Sequence, residues 1–99
     1  MNRQQLNNGS WFDRDKATKY DEYMPHNGNN SVSVHTNDQW RGKTLWKTAS
    51  GTYVMCEWSA WQGESDRWYV VTEDEANYWF YTNEDYDKLP PEFLASKEV

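Results

Sequence analysis

Alternation with a period of two dominates the middle of the chain. Ser31-Val32-Ser33-Val34-His35-Thr36 alternates strictly, so Val32 and Val34 share one face and a half-buried strand is predicted. Thr44–Thr48, Thr52–Ser59 and Arg67–Thr72 are runs of β-branched and aromatic residues, and they predict three more strands. Ala49-Ser50-Gly51 joins the first two of these runs, with Gly51 suited to the left-handed position of a three-residue hairpin loop. Along Thr52–Ser59, Tyr53, Met55 and Glu57 point one way and Val54, Cys56 and Trp58 the other. The second set is the expected core face.

Helical spacing flanks this β region. Thr72-Glu73-Asp74-Glu75 matches a capping box, with three acids at the positive end of a helix dipole. Ala76, Trp79 and Phe80 follow at helical spacing, which predicts a helix over about 73–82 packed on the sheet. Tyr78 and Tyr81 lie to its sides, and Asn83 suits the position just past its end. Ser10 and Asp13 offer a weaker cap near the amino end. Phe12, Lys16, Ala17, Tyr20 and Tyr23 or Met24 then fall at helical spacing, predicting a short helix over about 11–23 that Pro25 stops. His26-Asn27-Gly28-Asn29-Asn30 reads as a turn, and Leu89–Leu94 as one helical turn pinned by Phe93 and Leu94. Residues 1–9 and 95–99 are expected to be loose. The predicted fold is α+β, one domain over 1–99: an antiparallel meander of three or four strands, one helix on a face and the amino-terminal helix at the edge or over an end of the sheet.

Composition sharpens this picture. Seven Trp, seven Tyr and three Phe stand beside few aliphatic residues, so rings must fill most of the core. Seventeen rings exceed what a 99-residue core can hide. Exposed, clustered rings are therefore expected, and they suggest a contact surface. The single cysteine excludes an internal disulfide framework. No apolar run of signal-peptide or membrane-spanning length occurs, so a cytoplasmic protein is expected. Residues 1–50 hold seven Lys/Arg against five Asp/Glu, whereas residues 51–99 hold three against eleven. The carboxyl half is thus either a solvated acidic face or a surface aimed at a basic partner.

Gly28-Asn29-Asn30, the Thr44–Ser59 hairpin, Ser59-Ala60-Trp61-Gln62-Gly63, and Ala76 with Trp79 occur in this order. In these pieces, from about Gly28 to Asn83, the chain resembles a group of short bacterial proteins often associated with phages and other mobile elements. The resemblance carries no catalytic residues. It implies a phage-borne accessory protein, and small acidic phage proteins of this size include inhibitors of host defence such as anti-CRISPR proteins. That last step is analogy by size and charge.

The candidate chemistry follows. His26, His35 and Cys56 show no paired metal-ligand spacing, so neither metal nor cofactor is expected; His35 should face solvent and Cys56 fill core. Glu57, Glu64 and Asp66 gather near a hairpin end, but a chain this short leaves little room for a glycosidase groove, and GxSxG is absent. An enzyme is not expected. Trp40, Arg41, Lys43 and Trp46 form a local basic-aromatic patch that could follow a nucleic-acid strand, or simply a hairpin edge guarded by lysines. The leading expectation is a non-enzymatic acidic binding protein, a phage-encoded inhibitor docking on a basic, nucleic-acid-binding surface of a host protein or ribonucleoprotein complex. Its expected contacts are Trp61, Glu64, Asp66, Glu73, Asp74, Tyr78, Glu84, Asp85 and Tyr86. Neither a membrane nor direct nucleic-acid binding is expected; the alternative is a small nucleic-acid or regulatory module using the patch at 40–47.

Overall fold

The strand-forming runs of the centre pair with one another in sequence order. In the computed structural model, which describes residues 1–26 and 28–99, β1 (Arg3–Gln5) pairs with β2 (Trp11–Asp13) as a small separate sheet. The main sheet is an antiparallel meander of β3 (Thr18–Tyr20), β4 (Arg41–Lys47), β5 (Tyr53–Ser59) and β6 (Arg67–Val71). Two helices follow, α1 (Glu73–Thr82) and α2 (Pro91–Lys97). The β4–β5 turn is the expected three-residue loop. Thr48 and Thr52 close it with a 2.8 Å backbone bond, and Gly51 sits at φ 89°, a left-handed position that glycine takes without steric cost.

Because side chains alternate along a strand, β5 feeds two cores, one on each face of the sheet. Met55 joins Leu45, Val71, Ala76, Trp79, Phe80 and Leu89 under α1. Val54 joins Leu6 and Phe12 on the opposite face, with Trp46 and Trp68 packed against them. The helix therefore packs on the Tyr53–Met55 side, not on the Val54–Cys56–Trp58 side that the sequence suggested. Both sides are buried, since β1 and β2 cover the second. Rings supply the volume on both: Phe80 meets Tyr20 edge-on at 4.9 Å, and Phe12 meets Trp46 at 5.8 Å.

The predicted helix over 11–23 does not form. Its residues make β2, one 3-10 turn (Arg14–Lys16) and β3. Asp13 does cap, with Oδ1 accepting from the Asp15 amide at 3.0 Å, but it caps that single turn only. Two tertiary demands override the helical spacing. Phe12 and Tyr20 are needed on opposite faces of the main sheet, and β4 requires a hydrogen-bonded neighbour along Leu45–Lys47, which Thr18–Tyr20 provides. Nor is the amino end loose throughout: β1 is paired, Leu6 is buried, and the Asn7 amide donates to the Trp68 carbonyl at 2.9 Å.

The alternating stretch 31–36 also departs from expectation. Only Ser31 makes a bridge, to His26, and 34–37 form a turn closed by Asn37 at φ 56°. The buried residue there is Ser33, not Val32 or Val34. Its hydroxyl donates to the Glu22 carboxylate, and polar satisfaction rather than apolar burial sets the local conformation. Asn27 of the predicted 26–30 turn lies outside the described residues. Glu22 also accepts from Trp58 Nε1 at 2.7 Å and from the Lys43 amide at 2.9 Å. Gly42 lies against this group: a Cβ there would collide with the Glu22 carboxylate and the Trp58 indole.

Helix α1 starts and ends on local chemistry. Thr72 Oγ1 accepts from the Glu75 amide at 3.1 Å while Glu75 Oε1 accepts from the Thr72 amide at 3.2 Å, completing the predicted capping box. At the far end Asn83 is the last residue with helical dihedrals, and Glu84 takes the left-handed position at φ 61°. The Asp85 amide donates to the Phe80 carbonyl and the Glu84 amide to that of Tyr81, which is a Schellman ending. At the carboxyl end, residues 91–97 are helical, so Ala95–Lys97 are ordered rather than loose.

Candidate functional site

The expected contact residues divide between two places. Glu73 and Asp74 lie in the first turn of α1, whose buried side is Ala76, Asn77, Trp79 and Phe80. That burial turns Tyr78 and Tyr81 outward, at 53% and 36% exposure. Past the Schellman ending, Glu84, Asp85 and Tyr86 extend the same face. Tyr86 meets Tyr81 at 5.8 Å, and Phe93 of α2 meets Tyr78 at 5.3 Å. The outcome is an aromatic ridge edged by carboxylates. Among the described residues Glu73, Asp74, Glu84 and Asp85 form no ion pair. Lys97 stands nearby but donates to Tyr78 Oη at 2.9 Å. Asp85 accepts a hydrogen bond from Asn83 Nδ2 at 2.7 Å.

Trp61, Glu64 and Asp66 sit elsewhere, in the β5–β6 loop at the other end of the sheet. There the two patches that the sequence kept apart meet. Trp61 packs on Trp40 at 5.7 Å, and Arg41 Nη2 donates to Glu64 Oε1 at 2.6 Å. The hydrogen bond between them lowers the Glu64 carboxyl below its ordinary range and raises the Arg41 guanidinium. Asp38 supplies Arg41 with a second carboxylate at 3.6 Å. Asp66 Oδ1 accepts from the Ser59 amide.

The basic-aromatic patch at 40–47 is not assembled as predicted. β3 pairs with β4 only along Leu45–Lys47, and at Lys43 side chains take the backbone instead: its amide donates to Glu22 and its carbonyl accepts from Trp79 Nε1, so no open edge is left there for Lys43 to guard. Lys43 Nζ stands 3.7 Å from Glu57, and Arg41 is held by Glu64 and Asp38. Trp46 is half-buried in the second core. Cations already neutralised and a ring already packed leave little to offer a phosphate backbone. Glu57 in turn is occupied by Lys43, by Arg67 at 3.2 Å and by Tyr69 Oη at 2.9 Å. Burial, then the hydrogen bond to Glu57, pushes the Tyr69 hydroxyl up to about 12. Burial likewise pushes the Cys56 thiol up to about 12.

His35 does not face solvent. Its ring stacks on Trp79 at 4.6 Å and 8°, and Nε2 donates to Asn83 Oδ1 at 2.9 Å. The residues that sequence reasoning missed are Glu22, Asn83 and the cations Arg14 and Lys19. Glu22 and Asn83 act through partners 11 to 62 positions away along the chain, which no local pattern encodes. Among the described residues no group of three or more His, Cys, Asp or Glu is placed to hold a metal ion, and no helix is long and apolar enough to cross a membrane. Comparison with protein-family models, with curated proteins and with solved structures finds no match for this chain.

Proposed function

We propose that the chain is an acidic binding protein that grips a basic surface of another protein through the outer face of α1 and the segment that follows it. The observation that carries this reading is the ridge of Tyr78, Tyr81 and Tyr86 edged by Glu73, Asp74, Glu84 and Asp85, which form no ion pair among the described residues. Uncompensated charge of one sign steers an oppositely charged partner, and exposed phenol rings supply buried contact area once it docks. Trp61 and Trp40 form a second exposed aromatic spot, where Arg41 is already matched by Glu64 and Asp38, and the proposed contact does not rely on it. A basic surface of that kind is what a nucleic-acid-binding protein presents. Together with the resemblance to proteins of mobile elements, the reading extends to a phage-encoded inhibitor of a host defence ribonucleoprotein.

The test is affinity capture from bacterial lysate, with the bound protein identified by mass spectrometry. The tagged wild type is compared with a variant carrying Glu73→Gln, Asp74→Asn and Tyr78→Ala, whose fold is checked by circular dichroism. We expect the wild type to retain a basic protein that moderate salt or added nucleic acid releases, and the variant to lose it. Equal capture by the folded variant at physiological salt would sink the proposal.

A further inference from the structure

On the face of the sheet opposite α1, a cleft of ≈ 340 Å³ lies between the 3-10 turn and the β5–β6 end, lined by Arg14, Lys19, Trp46, Trp58, Trp68 and Asp66, with Thr44 and Cys56 completing the lining. The chain carries a net charge of −6, yet neither Arg14 nor Lys19 forms an ion pair among the described residues. Arg14 lies 5.9 Å from the Trp68 ring, with Nη2 donating to the neutral Asn2 Oδ1 at 2.8 Å, and Lys19 lies 5.8 Å from the Trp46 ring. Two buried side-chain donors without an acceptor, Arg14 Nε and Trp46 Nε1, belong to residues of this same lining. Folded proteins seldom leave a buried N–H unmatched, which marks this recess as locally short of acceptors. Two cations without carboxylate partners and flat rings gathered in one recess call for a ligand with anionic oxygens and a planar ring.

We propose that this cleft binds a nucleotide unit, its phosphate oxygens meeting Arg14 and Lys19 and its base lying against the indole walls. Arg14 and Lys19 line the cleft without a carboxylate partner, Asp66 being taken up by the Ser59 amide, so the phosphate supplies their counter-charge. The faces of Trp58 and Trp68 suit any base, and recognition rests on stacking rather than on sequence. The proposal does not depend on the helix-side contact, which lies across the sheet. A free nucleotide and a nucleotide within a single strand share this chemistry.

Titration of the full chain, followed by quenching of its tryptophan fluorescence, tests the assignment. The probes are uridine monophosphate, uridine, inorganic phosphate and a short oligothymidylate. We expect uridine monophosphate to quench saturably, and uridine and inorganic phosphate each to bind more weakly. Lys19→Gln should weaken the nucleotide by about tenfold, as loss of one charge-assisted contact does. Lys19 is exposed and forms no ion pair among the described residues, and Gln keeps most of its length against the Trp46 ring, so this variant keeps the fold. Arg14→Gln should act in the same direction. Tighter binding of the oligothymidylate than of the mononucleotide identifies a single strand as the source; equal binding identifies the free nucleotide. Absence of quenching, uridine binding as well as its monophosphate, or unchanged affinity in folded Lys19→Gln overturns the proposal.

Discussion

Asn83 uses all its side-chain hydrogen-bonding capacity in one buried place. Its Oδ1 accepts from the Tyr23 amide at 2.6 Å and from His35 Nε2, while Nδ2 donates to the Asp21 carbonyl and to Asp85. That pattern fixes the His35 tautomer with its proton on Nε2, leaving Nδ1 to take a second proton on acidification. Burial first, opposed by the Asn83 contact and by the Glu22 and Asp85 carboxylates, lowers the affinity of His35 for that proton. The unfolded chain, with an ordinary histidine near 6.5, then protonates before the folded one does. This contribution to stability is complete above that value and is lost as pH falls through it towards the lower folded value. Thermal melts from pH 7.5 down to 5 should show the wild type losing stability relative to His35→Gln; parallel curves would contradict the burial argument. None of this was legible locally. His35 read as a solvent-facing strand residue because its partner Trp79 lies far along the chain.

At the level of elements, legibility tracked how local the determinants are. The capping box of α1, the three-residue β4–β5 loop and the β5–β6 pair all stood in the sequence because neighbouring residues specify them. Residues 11–23 misled because a spacing of three and four also arises when a chain places Phe12 on one face of a sheet and Tyr20 on the other. Each acid and ring of the ridge is visible in the sequence, but its separation from the Trp61 loop needs the fold. The end of α1 offers a test at this scale. A glutamate in a left-handed conformation costs about 1 kcal/mol relative to glycine, for want of room around its Cβ. Glu84→Gly should therefore raise the melting temperature by several degrees, about 4–8 °C per kcal/mol in a domain of this size. If the ridge is the contact surface, the same variant should bind its partner less well, strain being retained where function needs the side chain. A variant that melts lower would show that the Schellman ending is held by something other than its backbone.

The whole molecule is a flat body of 42 × 37 × 20 Å, thin because a single sheet separates two shallow cores. The carboxylates of Glu73, Asp74 and Glu75 lie on the helix side, and the cations Arg14 and Lys19, which form no ion pair among the described residues, lie on the side of β1 and β2. Residues 1–9, which composition marks as loose, supply Leu6 to the second core. Leu6→Ala should consequently cost roughly 2–5 kcal/mol, the range for emptying a buried leucine site. That loss is large against the total for so small a domain, and chemical denaturation measures it. What melts with it is decided by β5. Val54 and Met55 are adjacent in the chain yet belong to opposite layers, so the partition between the cores is itself a piece of both. Heat cannot strip the amino-terminal layer and leave the helical one standing. In the Leu6→Ala protein, aromatic signals from the two layers should vanish in one concerted step, with calorimetric and van't Hoff enthalpies in agreement.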